Sequence, residues 1–487
     1  MFRLVTRKGL LIIIIILLSA ALVVGQEKKL LDNPRVKEAF DLLDIWLESD
    51  VGYKRFPGLT IAVVHDQDVI WSNGYGFANI EDQIPARPDT IFSICSISKL
   101  FTSTSIMQLR DAGKLQLDDP LSKYLPWFDI KPVDPDAPPI TIRSVMRHSS
   151  GLPRESAQPY NGEPDLPWED LADIKKYLPG QETLYPPDVY FQYSNFGMSL
   201  LGQVVAEISG QTYEEYITEH ILKPLGMSDT TPFLPEDQYG LRLAIGYSRW
   251  EREGDRVRLP FFQAKGATPA AGLASTALDL AKFASWQFRA LDNKDSSVLS
   301  GYTLKEMHRV SWVDWDRTTM WGLGFINWRN KDVTFVGHSG GCPGYRTQVA
   351  LSPKDKIAIV CMINAADAPV GNYSEKPYEI IAPVIAEALK NPDEAKTAPD
   401  ELKKFTGLYR THWGETAVFY WKGALATIGL PSNNPAEDVH VLKQIKDNYF
   451  RYVRKDGELG EEVVFEFDED GNVKWFRSAY FYSMKVR

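Results

Sequence analysis

Cysteine is scarce in this chain: Cys95, Cys342 and Cys361 are the only three in 487 residues. Three cysteines do not make a disulfide framework. Cys342 and Cys361 flank a hairpin expected through Pro353-Lys354-Asp355-Lys356. In that register Cys361 faces a residue near Gln348, several positions from Cys342, so no bridge between them is expected. Metal-ligand patterns are missing as well. There is no His-Glu-x-x-His and no Cys-x-x-Cys, and the seven histidines are scattered, so neither a metal nor a cofactor is expected. Positive charge is in deficit, with 54 Lys and Arg against 64 Asp and Glu. An acidic chain of this kind is a poor partner for nucleic acid or an anionic membrane surface. No internal repeat or low-complexity tract stands out.

Long apolar runs are confined to one, residues 10–24, preceded by Arg3, Arg7 and Lys8. Fifteen residues suit a signal peptide and fall short of the roughly 20 that a membrane span needs. Residues 1–25 are therefore read as a signal peptide. The protein is expected to be exported, periplasmic or extracellular, and an uncleaved N-terminal membrane anchor is the alternative. The remainder has an ordinary globular composition, 44% hydrophobic and 24% charged, and is long enough for two or three domains.

Residues 58–65 and 69–73 are β-rich runs around Asp66-Gln67-Asp68 and predict an antiparallel hairpin. Helices are predicted from Ser96 up to Gly113, over Leu121–Tyr124, from Thr141 to His148 and near Leu171–Leu178. Others are expected over Phe196–Ile208, from the capping box Thr212-Tyr-Glu-Glu215 to Leu222, from near Ser275 to Phe283, and over Tyr378–Leu389. The Pro-, Gly- and acid-rich stretch 152–190 reads as a long irregular connection. Further strands are expected at Val333–Val336, Tyr345–Leu351 and Ile357–Ile363. Strands at both ends with helices between predict an α/β (α+β) domain, one antiparallel sheet flanked by helices with a helical subdomain inserted. Residues 391–400 read as a linker between a domain at 26–390 and a tail at 401–487. The tail shows short β-like runs separated by Lys422-Gly423, Asp456-Gly457 and Asp470-Gly471. It predicts an antiparallel barrel of about eight strands, with Tyr409, Phe419, Phe450, Phe465 and Trp475 as core candidates and no catalytic residue.

Ser96-Ile-Ser-Lys99 is the only Ser-x-x-Lys in the chain. On a helix, residues three apart share a face. A serine hydroxyl needs a base within hydrogen-bond reach, and a lysine in a dry pocket can lose its proton and become that base. The same four residues also describe an N-cap serine followed by a solvated lysine. Tyr193-Ser194-Asn195 is the only Tyr-x-Asn. A buried phenol near a lysine can be held as phenolate or can relay a proton, and an Asn amide can orient both the lysine and a substrate carbonyl. A capped helix preceded by a core tyrosine is the plainer reading. A third element, His338-Ser339-Gly340-Gly341, follows the strand Val333–Val336.

Together the three elements resemble the Ser-x-x-Lys, Ser/Tyr-x-Asn and Lys-Thr-Gly set of β-lactamases and penicillin-binding proteins. Ile140–Leu152 and Ala271–Phe283 also resemble flanking segments of the class C β-lactamase-like serine hydrolases. That group includes D-aminopeptidases, low-molecular-weight penicillin-binding proteins and esterases. The resemblance covers roughly residues 35–390, and the tail is similar to the lipocalin-like C-terminal domain of some members. It implies a β-lactamase/transpeptidase-like fold and an acyl-enzyme on Ser96. Lys99 and Tyr193 would be the acid/base pair and Asn195 the substrate-orienting amide. The N–H groups of Ser96 and Gly341 would form the oxyanion hole, with His338 and Gly340 beside it in the substrate site. The implied activity is hydrolysis of small amide, peptide or ester substrates. The alternatives are a slowly turning-over penicillin-binding or sensor protein, and an acyltransferase using the same intermediate.

His338 stands where many members of the group carry lysine. An unperturbed histidine titrates near pH 6.5. His338 is therefore expected to be charged at about pH 5.5 and mostly neutral at about pH 8. Poor β-lactamase activity follows, with Arg346 as the nearest spare cation in sequence. Gly337-His-Ser339-Gly-Gly341 also fits the Gly-x-Ser-x-Gly elbow of α/β-hydrolases. That elbow requires a helix directly after the serine, and Cys342-Pro-Gly-Tyr breaks one.

Overall fold

The computed structural model describes residues 30–156, 168–391 and 397–487. The leader expected at residues 1–25 lies outside them. Among the described residues, no helix is long and apolar enough to cross a membrane. The chain divides into two compact units: residues 55–375, and residues up to Lys54 taken together with 376–487. The expected boundaries, 26–390 and 401–487, fall elsewhere. The N-terminal helix α1 (Pro34–Tyr53), which the sequence reading did not single out, counts with the tail, as does residue 376 onward.

In the central unit, β1 (Gly58–His65) and β2 (Asp68–Asn79) form the expected hairpin, with β2 longer than anticipated. β3 (Ile84–Pro85) and β4 (Phe92–Ser93) follow, then helix α2 (Ser98–Asp111). The helical insertion contains α3 (Leu121–Tyr124), α4 (Ile142–Met146), α5 (Leu171–Tyr177), α6 (Asn195–Ser209) and α7 (Tyr213–Ile217). Capping chemistry sets several of these bounds. Thr141 and Thr212 each complete a capping box, and Gly210, at φ 72°, ends α6 in the left-handed conformation. After α8 (Thr268–Ala271), the helix expected from Ser275 starts later. Ala274–Ser275 is instead a short strand, β5, paired with β4, and Thr276 caps α9 (Ala277–Leu291).

The rest of the sheet comes from the C-terminal half of the unit. After α10 (Gly301–His308) come β6 (Trp312–Val313), β7 (Met320–Trp321), β8 (Ile326–Asn330), β9 (Val333–Cys342), β10 (Tyr345–Ser352) and β11 (Ile357–Ile363). Nine strands form one sheet in the order β3-β2-β1-β11-β10-β9-β8-β7-β6. β1 pairs antiparallel with β11, Leu59 opposite Ile363, so the two ends of the unit close one sheet. Gln348 lies opposite Cys361, which is the register anticipated for the β10–β11 hairpin, and all three cysteines are free and buried. β11 is buried at every position, the mark of a strand covered on both faces. The run Phe92–Leu109 sits inside one contiguous apolar core with α6, α9 and the sheet.

In the other unit, residues 401–487 form a closed barrel of eight antiparallel strands in sequence order, β12 (Gly407–Thr411) to β19 (Phe481–Lys485). Pairing of Tyr409 with Lys485 closes it. Lys422 and Gly423 both take positive φ, 52° and 75°, as a two-residue hairpin turn demands. Tyr409, Phe450 and Phe465 are in the barrel core. Phe419 is buried off that core, lining a cavity with Ile45 and Tyr53 of α1. Trp475 turns outward, its Nε1–H donating to Glu466 at 2.8 Å, and its neighbour Phe476 takes the core position. Side chains alternate across a strand, and either aromatic could have been the inward one.

Candidate active site

Ser96 does not cap its helix. It lies in a 3-10 turn, Cys95–Ile97, that runs into α2. The turn is held from two sides. The Ile94 N–H donates to the Leu273 carbonyl at 2.9 Å, and Thr347 Oγ1 donates to the Ile94 carbonyl at 3.0 Å. Cys95 is forced to φ 51°, a strained value for a residue with a Cβ. Gly340 of β9 passes against this turn. A Cβ there would lie 2.3 Å from the Ile94 oxygen and 2.2 Å from Thr347 Oγ1, so the close approach requires glycine.

Lys99 is not solvated; its exposure is 0%. Nζ lies 3.1 Å from Ser96 Oγ, 2.6 Å from Asn195 Oδ1 and 2.7 Å from the Ala270 carbonyl. Burial pushes its pKa down to about 7, against an opposing pull from the Glu155 carboxylate. A neutral amine has two N–H groups and one lone pair. Asn195 and Ala270 accept the two hydrogens, which leaves the lone pair for the proton of Ser96. The solvated-lysine reading therefore fails here, and the geometry is that of a serine with its base.

Tyr193 is half-buried and lines a cavity with Ser96; desolvation raises its pKa, while Ser96 and the nearby Arg154 charge oppose the rise. The phenol is thus protonated at neutral pH and is not held as phenolate. The Lys99 amine and the Arg154 guanidinium each lie 4.9 Å from its ring centroid. His148 lies tilted against the same ring at 4.4 Å, and Trp321 packs near the rings of Tyr193, His148 and His338 at 5.8, 4.9 and 5.7 Å. Ser194, between Tyr193 and Asn195, caps α6 by accepting from the Gly197 N–H at 2.8 Å. The cap reading of this triplet therefore holds, through Ser194.

Asn195 is placed differently from expectation. Its Nδ2 donates to Glu155 Oε1 at 2.7 Å while its Oδ1 serves Lys99. The amide orients the lysine through both its ends. Asn195 is buried beside α2 and does not line the cavity that Ser96 and Tyr193 share.

His338 overturns the titration expectation. Nδ1–H donates to the Ser339 carbonyl at 2.6 Å, and the ring is buried. Burial, reinforced by the Lys99 charge, pushes its pKa down to about 3, so it is neutral at pH 5.5 as well as at pH 8. Burying a charge is far costlier than burying a neutral ring. The cations at the site are instead Arg154 and Arg346. They line a cavity of about 480 Å³ with Ser96, Tyr193, His338 and Gly341.

β9 is paired unevenly along its two edges. β10 pairs with it from Val336 to Cys342, but β8 pairs only from Val333 to Gly337. Among the described residues, positions 338–342 carry no strand on the β8 side. Ser339 lies within this strand, with no helix after it, so the elbow reading has no structural basis. No cluster of three or more potential metal ligands occurs among the described residues.

Residues 43–381 match the family described as Beta-lactamase. The chain belongs to that family. Within the wider set of relatives, Protein flp of Staphylococcus aureus strain MW2 is 29% identical over 332 residues, which is 66% of this chain and 62% of that one. The chain thus spans about 62% of the length of that curated relative. The octameric penicillin-binding protein homologue from Pyrococcus abyssi superposes with a TM-score of 0.58 at 26% identity, covering 91% of this chain and 99% of that one. A class C β-lactamase superposes with the same TM-score, 0.58, at 21% identity over 74% of this chain and 97% of its own, a likeness of fold. The Beta-lactamase-family fold and the constellation around Ser96 thus coincide in one unit. Sequence reading missed Glu155, Arg154, His148, Trp321 and the Ala270 carbonyl. His148 lay within the flanking segment already singled out; a backbone carbonyl leaves no signature in sequence.

Proposed function

We propose that this protein is an exported serine hydrolase that cleaves small amide, peptide or ester substrates through an acyl-enzyme on Ser96. The observation that carries the reading is the buried Lys99 amine, 3.1 Å from Ser96 Oγ, with its other contacts made to two acceptors. Lys99 takes the Ser96 proton as Oγ attacks the carbonyl. The N–H groups of Ser96 and Gly341 receive the developing oxyanion. Tyr193, a neutral phenol lining the same cavity as Ser96, passes a proton to the leaving group. Water then attacks the acyl-enzyme with the same groups in reverse roles. Arg154 and Arg346 at the cavity favour substrates bearing negative charge. The basic-then-apolar leader supports export.

The test is mass spectrometry after brief exposure to an activated ester and, separately, to a fluorophosphonate. A single adduct on Ser96, absent from Ser96→Ala, is the expected result. An adduct on Ser339, or none at all with either reagent, would overturn the reading.

A further inference from the structure

We propose that Glu155 is a positioning residue for this reaction, its carboxylate fixing the Asn195 amide and serving as counter-charge to the Lys99 amine. The inference rests on the acyl-hydrolase reading above and goes beyond it in assigning what controls the base.

The geometry is a relay. Lys99 Nζ donates to Asn195 Oδ1 at 2.6 Å, and Asn195 Nδ2 donates to Glu155 Oε1 at 2.7 Å. An amide with a donor at one end and a carboxylate at the other has a single satisfied orientation. Glu155 thereby keeps the Asn195 oxygen, not its NH2, against the lysine. The Glu155 side chain is 24% exposed, so its charge is only partly screened by water.

Several groups face Lys99. Glu155 and Arg154 come from the segment after Gly151, paired at 3.3 Å; Cys342 comes from β9 and Cys95 from the nucleophile turn. His148 and His338 are both kept neutral by burial, and the Lys99 charge adds to that effect in each. Tyr193 is a protonated phenol. Burial is the largest influence on the amine and favours its neutral form. The Glu155 charge is the largest influence in the other direction, and Arg154 acts against it. The two adjacent residues thus push the base opposite ways.

Glu155→Gln separates the two roles, because a glutamine oxygen still accepts from Asn195 Nδ2 while the charge is gone. Two readouts apply: the acid limb of kcat/KM on a small ester, and direct titration of Lys99 by NMR of lysine labelled at Cε, assigned with Lys99→Met. The limb and the titration should both move down by about one pH unit in Glu155→Gln, the scale of one partly buried charge. Around pH 6 the variant should then turn over several-fold faster than wild type. Arg154→Gln should move both upward, and this holds as a test even if Glu155→Gln does not fold. A limb and a Lys99 titration that stay in place in Glu155→Gln, or a downward move in Arg154→Gln, would overturn the proposal. A wild type that forms no acyl-enzyme would overturn the functional reading instead, and the NMR titration would still decide whether Glu155 acts on the amine.

Discussion

In the central unit, Lys99, Asn195, His148 and His338 all lie beneath the surface, each in contact with another polar group. The barrel arranges its polar groups differently. Thr427, Ser432 and Ser483 are its only buried polar residues among those described, apart from the Tyr409 hydroxyl, and none of its Asp, Glu, Lys, Arg or His side chains is buried. Tyr409 donates to the Phe405 carbonyl at 2.7 Å. Charges of the barrel pair at the surface instead, as Arg410 does with Glu415. Both regions have dense apolar cores, so packing does not distinguish them. The difference is that one tolerates buried ionisable groups, which cost stability. Such groups concentrate where chemistry is done. Among the described residues, the buried ionisable groups gather in the central unit and the barrel has none.

The largest effect should come from the nucleophile. Ser96→Ala is expected to lower kcat by about three orders of magnitude or more. Lys99→Ala should do nearly as much and the double variant little more, measured by steady-state turnover of a small ester. Additive losses would show that the two do not act as one unit. The comparison itself would break if any barrel substitution gave a comparable loss in folded protein.

The pH dependence is the next largest. Lys99 must be neutral to accept the Ser96 proton, and its pKa sits at about 7. It is protonated below that value, so kcat/KM should fall by about tenfold per unit below pH 7 and level off above it. His338, neutral through this range, should add no second inflection between pH 5 and 8. Its replacement by Gln should leave the limb at the same pH, whatever happens to the plateau. A limb that shifted with His338→Gln would restore the histidine as a titrating group.

Two smaller effects concern the barrel. Phe465 lies at the centre of an aromatic cluster, touching Phe405, Tyr409, Phe450 and Phe476. Phe465→Ala should destabilise by about 3–5 kcal/mol in denaturant titration while kcat/KM of the folded protein on a small ester stays constant. Tyr409→Phe removes one buried hydrogen bond and should cost about 1 kcal/mol, again with no kinetic effect. A kinetic change in either would show the barrel taking part in the site.

Much of this was legible in the linear chain. Turn dipeptides such as Lys422-Gly423, the capping box at Thr212, and the apolar runs of β1, β10 and β11 are local signals, and the elements follow them closely. Elements without such signals escaped: β6 and β7 are two residues each, and β9 runs on through His338–Cys342 because β10 pairs with it there. Phe419 and Trp475 show the same limit, since alternation names two faces without saying which is inward.

Sequence by itself placed Ser96 and Lys99 one turn apart at the head of a helix, Tyr193 and Asn195 at the entry to a later one, and a barrel of about eight strands after them. Those are consequences of spacing and turn chemistry within a few residues. Only the tertiary structure decided the charge states. Burial in a dry core brings the Lys99 pKa down to about 7, and there Asn195 and the Ala270 carbonyl, 96 and 171 residues away, accept from its amine. His338 is neutral for the same reason, where its residue type alone predicted a switch. Protonation depends on water excluded and dipoles arranged by parts of the chain far apart in sequence, and only folding brings those parts together.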